Sequence, residues 1–292
     1  MNMHTLTYRL LTLVTPLLFV AGARAESADT VRSDTPAAKE KIVTNARMIG
    51  IGSTNILDTY ISPEKYRGTE LRYISHTVRE RTGSETSETG KRNRLATTLI
   101  HQGYLSLSDN RAGEGEAIAG MYSFSYGRHL QWMLTGGALR LKAGAQADGN
   151  IGFLYNTRNG NNPAQARLNI DIAPMVGADY RFTAFERWPL TVAYEASIPI
   201  IGVVFSPNYG QSYYEIFNEG NYDHNIVPTT IGCAPSLRQM LTIDLRLKKI
   251  ALRIGYMGDI QQYKVNNLKY HNYSHLFLIG FVKRFKSIRL KP

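Results

Sequence analysis

Asp223 and His224 form the most enzyme-like pair in the chain. A histidine oriented by a carboxylate can act as a general base toward water or a hydroxyl. Successive side chains of an extended segment point to opposite sides, so this adjacent pair diverges if the segment is extended. His76, His101, His129, His271 and His275 are scattered, without the short spacings of metal ligands. No glycine-rich loop of the phosphate-cradling kind occurs. Neither a cofactor nor a metal is expected. Cys233 is the lone cysteine, so no internal disulfide can form.

A larger set of charged residues is periodic. Arg140, Lys142 and Asp148 alternate with Leu141, Ala143, Ala145 and Ala147. Arg167, Asp171, Asp179 and Arg181 alternate with Leu168, Ile170, Ile172, Val176, Ala178 and Tyr180. Glu195 opposes Tyr194 and Ala196, Asp244 and Arg246 oppose Ile243 and Leu245, and Arg253 and Asp259 oppose Ile254 and Ile260. These charges number six basic and six acidic. If their shared face is an enclosed lumen, balanced charges pair there, because an unpaired buried charge is costly. The expectation is an ion-pair network that fills the lumen. A narrow solute pore with charged walls is the alternative.

The element that places such a face is a long two-residue-period strand. Ten are expected, near 43–54, 68–81, 94–108, 115–128, 138–155, 166–183, 189–204, 234–247, 250–264 and 272–285. A hairpin hidden in the long connection 205–233 would make twelve. Soluble strands usually run to about 5–6 residues, whereas a tilted membrane strand needs about 9–11. Length, aromatic residues toward the strand ends and an export signal favour an all-β, antiparallel transmembrane barrel over a soluble sandwich. An even count places both termini on the periplasmic side and the connection 205–233 outside. Trp132 and Trp188 then fall near periplasmic turns.

The export signal is Arg9, the apolar stretch 10–20 and the A-x-A site Ala23-Arg24-Ala25. Residues 1–25 read as a cleaved signal peptide, 26–41 as a flexible lead-in, 42–286 as the barrel and 287–292 as a tail. Removing Arg9 and Arg24 lowers the net charge from +11 to +9. With the lumen near neutral, the excess sits on the periplasmic rim, where Arg128, Lys283, Arg284 and Lys286 can meet anionic lipid headgroups. An exported barrel does not meet nucleic acid in normal function. Expected partners are outer-membrane lipid, the barrel assembly machinery and a glycan, lipid or small-solute ligand. The loops 156–165, 205–217 and 220–232 are rich in Tyr, Asn, Ser and Gly. They suit either ligand binding or closure of the barrel mouth.

Two families of outer-membrane hydrolases offer a comparison. Omptin-like proteases carry an Asp/His pair and an Asp pair around an outer cleft; no paired aspartates stand on an earlier outer loop here. The outer-membrane phospholipase pattern needs a His two residues before a Ser followed by Asn and Gly, and NTRNGNN (156–162) lacks both His and Ser. A non-enzymatic barrel is therefore expected, with a surface hydrolase centred on Asp223 and His224 as the alternative. The stretches MIGIGSTNILDTYISPEKYRGTE (48–70), IGFLYNTRNGNNPAQA (151–166) and LRIGYMGDIQQYKVNNLKYHNYSHLFLIG (252–280) resemble an uncharacterised family of exported proteins of gut-type anaerobic Gram-negative bacteria. The resemblance spans nearly all of the mature chain and implies no activity. Outer-membrane barrels commonly end on an aromatic residue read by assembly factors; Phe285 has that place, but KSIRLKP follows it.

Overall fold

The computed structural model describes residues 40–81, 95–160, 162–247 and 250–288. The signal peptide, most of the lead-in, the segment 83–92 and the last four residues lie outside them.

The strands are β1 (Glu40–Asp58), β2 (Ser62–Arg81), β3 (Leu95–Asp109), β4 (Glu116–Leu134), β5 (Leu139–Asn156), β6 (Ala164–Ala184), β7 (Trp188–Ser197), β8 (Ile201–Phe205), β9 (Ile226–Thr230), β10 (Leu237–Arg246), β11 (Ala251–Val265) and β12 (Leu268–Ile288). A one-turn helix, α1 (Tyr213–Phe217), interrupts the β8–β9 connection. Ten strands close antiparallel in the order β1–β2–β3–β4–β5–β6–β7–β10–β11–β12, with β12 returning to β1. The strand path runs from Glu40 to Ile288, two residues beyond the expected 42–286 at each end.

Tight turns hold the register. Phe185-Glu186 and Asn266-Asn267 both take positive φ, the hairpin geometry whose twist matches that of the flanking strands. In the β1–β2 turn the Asp58 carboxylate accepts from Tyr60 N at 3.1 Å. The start of β1, the end of β12 and the β4–β5, β6–β7 and β10–β11 turns share one end, called here the terminal end. The β1–β2, β3–β4, β5–β6, β8–β9 and β11–β12 connections share the other, the loop end.

The expected strand 189–204 is broken. Pro199 cannot donate to a facing strand, and pairing with β10 stops at Ser197↔Arg238. The chain still follows β6, through Ile198 N to Pro174 O and Ile200 N to Ile172 O, and resumes as β8. Opposite the break, residues 231–236 leave the sheet, and β9 pairs with β8. Ile198 and Ile200 point outward before the break, Ile201 and Val203 after it. The two short strands thus extend the wall beside a ten-stranded barrel.

The exterior is apolar. Ile51, Tyr122, Phe124, Ile151, Ile170, Ile172, Val176, Phe277 and Ile279 are exposed. A soluble protein does not leave so continuous an apolar belt in water, whereas lipid covers it without cost. The architecture is an antiparallel transmembrane β-barrel. Long strands such as the 21-residue β6 outrun the membrane core, so their ends stand clear of it.

The interior is less polar than the alternating segments suggest. Met48, Ile74, Met257, Leu276 and Leu278 are buried inside as one cluster. Gly50 makes room for it: a Cβ there would lie 2.7 Å from Leu278 Cδ2. A second cluster, including Ile56, Tyr66, Tyr104, Met121 and Leu154, fills the lumen toward the loop end.

Candidate functional site: a layered lumen and its cover

The lumen charges fall into three levels. At the terminal end, Arg140 of β5 bonds Asp179 on β6 at 2.5 Å and reaches Glu80 on β2, three strands away, at 2.6 Å. Lys142 holds Asp179 and Glu195, both at 2.8 Å. Arg253 pairs with its cross-strand neighbour Asp244 at 2.6 Å. These groups line a cavity of about 400 Å³ that also receives Arg181, Arg246 and Arg284.

At mid-height the lumen is crossed by a buried ion cluster. Arg72 of β2 donates to Glu70 at 2.7 Å and to Asp259 of β11 at 2.5 Å. Ser274 Oγ donates to the other Glu70 oxygen at 2.5 Å, and the Arg72 guanidinium lies 4.8 Å from the centre of the Tyr104 ring. Arg238 of β10 adds contacts of 3.4 Å to Asp259 and 4.0 Å to Asp148. Gln102 stands between the two guanidiniums, its amide within 3.3 Å of both. Arg72, Glu70 and Asp259 are essentially inaccessible to solvent. Two cavities beside this level hold about 60 and 40 Å³.

The third level closes the loop end. Arg167 of β6 bonds Asp58 of β1, diametrically across the ten-stranded ring, and the Tyr263 hydroxyl. Its guanidinium lies 3.7 Å from the centre of the Tyr270 ring, a stacking that favours a planar cation.

Above it sits the cover, residues 206–225. Ser212 caps α1 reciprocally with Glu215, and Ile216 is fully buried beneath it. Tyr213 donates to Gln165 at 3.0 Å and accepts from Ala166 N at 2.7 Å, fixing the cover to β6. Tyr60, on the β1–β2 turn across the mouth, donates to Gln211 O at 3.0 Å. Its ring meets Tyr213 edge-on at 6.0 Å. Burial first, then the neighbouring Tyr213 and Glu215, push the Tyr60 phenol up to about 12. Burial likewise raises Tyr213. The closed cover therefore favours the neutral phenol of Tyr60. Its contribution is complete below pH 10.0 and is lost as pH climbs through about 12. Hydrogen exchange in 206–225 should accelerate over that interval. Tyr60→Phe should exchange faster at neutral pH and lose this alkaline step; an unchanged profile would remove Tyr60 as a latch.

The expected site residues thus have different fates. Arg140, Lys142, Asp179, Glu195, Asp244 and Arg253 meet at the terminal end, Asp148 and Asp259 at mid-height, and Arg167 at the loop end. Among the described residues Asp171 bonds only Asn169, and Arg181 and Arg246 have no ion pair. Asp58, Glu70, Arg72, Glu80 and Arg238 complete the network and were not among the periodic charges. Asp223 and His224 do not diverge: His224 takes φ +56 and its Nδ1 lies 2.6 Å from Asp223 Oδ1. Both side chains are more than three-quarters exposed on the cover, so water surrounds them on the surface. Among the described residues no three His, Cys, Asp or Glu side chains converge as metal ligands.

A sequence model of the family described as "Protein of unknown function (DUF3316)" matches residues 8–292. The chain belongs to this family. No curated protein matches the sequence of this DUF3316 chain. Among solved structures, the transport unit of the autotransporter AIDA-I from Escherichia coli is similar at 8% identity and TM-score 0.45, over 89% of this chain and 93% of that one. The outer membrane protease OmpT from Escherichia coli is similar at 8% identity and TM-score 0.40, over 87% and 99%. The translocator domain of autotransporter NalP from Neisseria meningitidis reaches 12% identity and TM-score 0.37, over 97% and 96%. Likeness at this level transfers no activity to the DUF3316 barrel.

Proposed function

We propose that this DUF3316 chain is a non-enzymatic outer-membrane barrel, exported by its N-terminal signal, whose lumen is sealed by its own side chains and whose loops close the outer mouth. The observation that carries this reading is the pair of cross-lumen layers, Arg72–Asp259 and Arg167–Asp58, each joining strands three or more places apart. A ten-stranded barrel is narrow enough for side chains to fill. The apolar belt suits lipid, and the loops 156–165, 205–217 and 220–232, rich in asparagine and tyrosine, suit a polar phase beyond it. Tyr209, Tyr214, Phe217 and Tyr222 stand exposed on the cover and offer stacking surface for a glycan or lipid ligand from outside.

The protein should fractionate with outer membranes and migrate faster on unboiled than on boiled gels. Proteoliposomes carrying it should not swell in an isotonic sugar solution. Recovery as a soluble periplasmic protein would overturn the location, and porin-like swelling would replace the sealed barrel with the narrow-pore reading. Peptide and phospholipid substrates should remain uncleaved; turnover lost in His224→Ala would establish the hydrolase instead.

A further inference from the structure

We infer that the terminal-end cavity is a binding site for a small phosphate-bearing anion, held by Arg181, Arg246 and Arg284. The cavity, about 400 Å³, falls in the range of pockets that take small molecules, about 300–1,000 Å³. It opens at the terminal end, beside the start of β1 and the end of β12, and stops at the Met240 and His76 level, beneath the mid-height cluster. Charge is distributed unevenly along it. All four carboxylates on its wall are engaged by Arg140, Lys142 or Arg253. The three outer arginines have no carboxylate and no side-chain hydrogen-bond partner among the described residues, although all three line the same space.

Their placement is not that of a scattered solvated rim. Arg181, Arg246 and Arg284 lie on the inward parity of β6, β10 and β12, one arc of the wall. Arg181 stands in the repulsive field of Arg140 and Arg284, which Asp179 and Glu80 offset only in part. Like charges gathered on the wall of a low-dielectric tube raise the potential inside it. An incoming anion relieves that repulsion, and the guanidinium fork matches phosphate oxygens in a bidentate way. Three forks facing one space suit a dianion better than a monocarboxylate. The paired inner wall, four carboxylates against three cations, then provides a polar floor for the rest of the ligand, and the three outer arginines bring the cavity wall to a net +2. The phosphate could belong to a soluble phosphomonoester or to the headgroup of a periplasmic-leaflet lipid. This inference does not depend on the seal above the cavity.

Calorimetric titration of the full folded chain in neutral detergent with glycerol 3-phosphate tests it. Binding should appear at low salt and weaken as salt rises. Arg246→Gln and Arg284→Gln should each weaken it about tenfold or more, the worth of one charge-assisted hydrogen-bond partner. Arg47→Gln, on the exterior of β1, should bind as the wild type does. Heat-modifiable gel mobility reports whether each variant is folded. In a second arm, nanodiscs with and without phosphatidic acid separate the sources. Blockage of glycerol 3-phosphate by phosphatidic acid assigns the site to a lipid headgroup, and undiminished binding assigns it to a soluble ligand. Absence of binding to either probe would overturn the inference, as would binding that the arginine variants leave unchanged.

Discussion

Ile172→Arg should nearly abolish folded barrel in the outer-membrane fraction, whereas Asn169→Arg should be tolerated. Ile172 faces outward on β6, between Ala147 of β5 and Ile201 of β8. Outward aromatics bracket it: Tyr180 and Phe182 toward the terminal end, Phe153 and Tyr155 toward the loop end. That places Ile172 near the middle of the lipid belt, where an arginine costs about 2–4 kcal/mol. Asn169 points inward and donates to Asp171, so an arginine there gains a carboxylate without meeting lipid. The measurement is the intensity of the fast-migrating band on unboiled gels. Better assembly of Ile172→Arg than of Asn169→Arg would mean that the parity of β6 is reversed, because a one-residue slip moves every side chain to the other face.

The second large effect is expected at Arg72. Arg72→Ala leaves Glu70 and Asp259 buried without their shared cation, and breaking a buried pair in this way costs about 3–5 kcal/mol. The urea midpoint of unfolding, read by loss of the fast-migrating band, should fall markedly. Combining Arg72→Ala with Glu70→Gln and Asp259→Asn should recover most of the loss, since no uncompensated charge remains. Arg72→Lys should fall between, because an ammonium cannot reproduce the guanidinium contacts to two carboxylates on different strands. A wild-type midpoint for Arg72→Ala would show that the cluster is hydrated and does not divide the lumen.

The strand periodicity was legible where lipid lies on one side and charge on the other. On β5 and β6, Leu141, Ile151, Ile170 and Ile172 face out while Lys142, Asp148, Arg167 and Asp179 are buried. On β2 the same rule fails to mark the face, because Ile74 and Val78 share the inward parity with Arg72, His76 and Glu80. The outward parity there carries Ser75, Thr77 and Arg79. The Glu70–Arg72 pair therefore left no local signature. Cross-lumen partners are equally hidden: Arg167 and Asp58 meet only because closure brings β6 opposite β1. Pro199 was visible as a residue, but the parity change after it follows from the loss of a facing strand. The Asp223–His224 contact needed the left-handed turn at His224, which an extended reading does not supply.

Single-channel conductance in planar bilayers tests the sealed lumen most directly, with wild type compared against a variant in which residues 208–222 are replaced by a short glycine-serine linker. Two stacked closures are present, the cover over the Arg167–Asp58 level and the Arg72–Asp259 cluster beneath it. Wild type should carry almost no steady current, and the coverless variant should remain nearly silent because the mid-height cluster still spans the barrel. A large, steady wild-type current would contradict the sealed barrel. A current that appears when only the cover is removed would contradict the closure at mid-height.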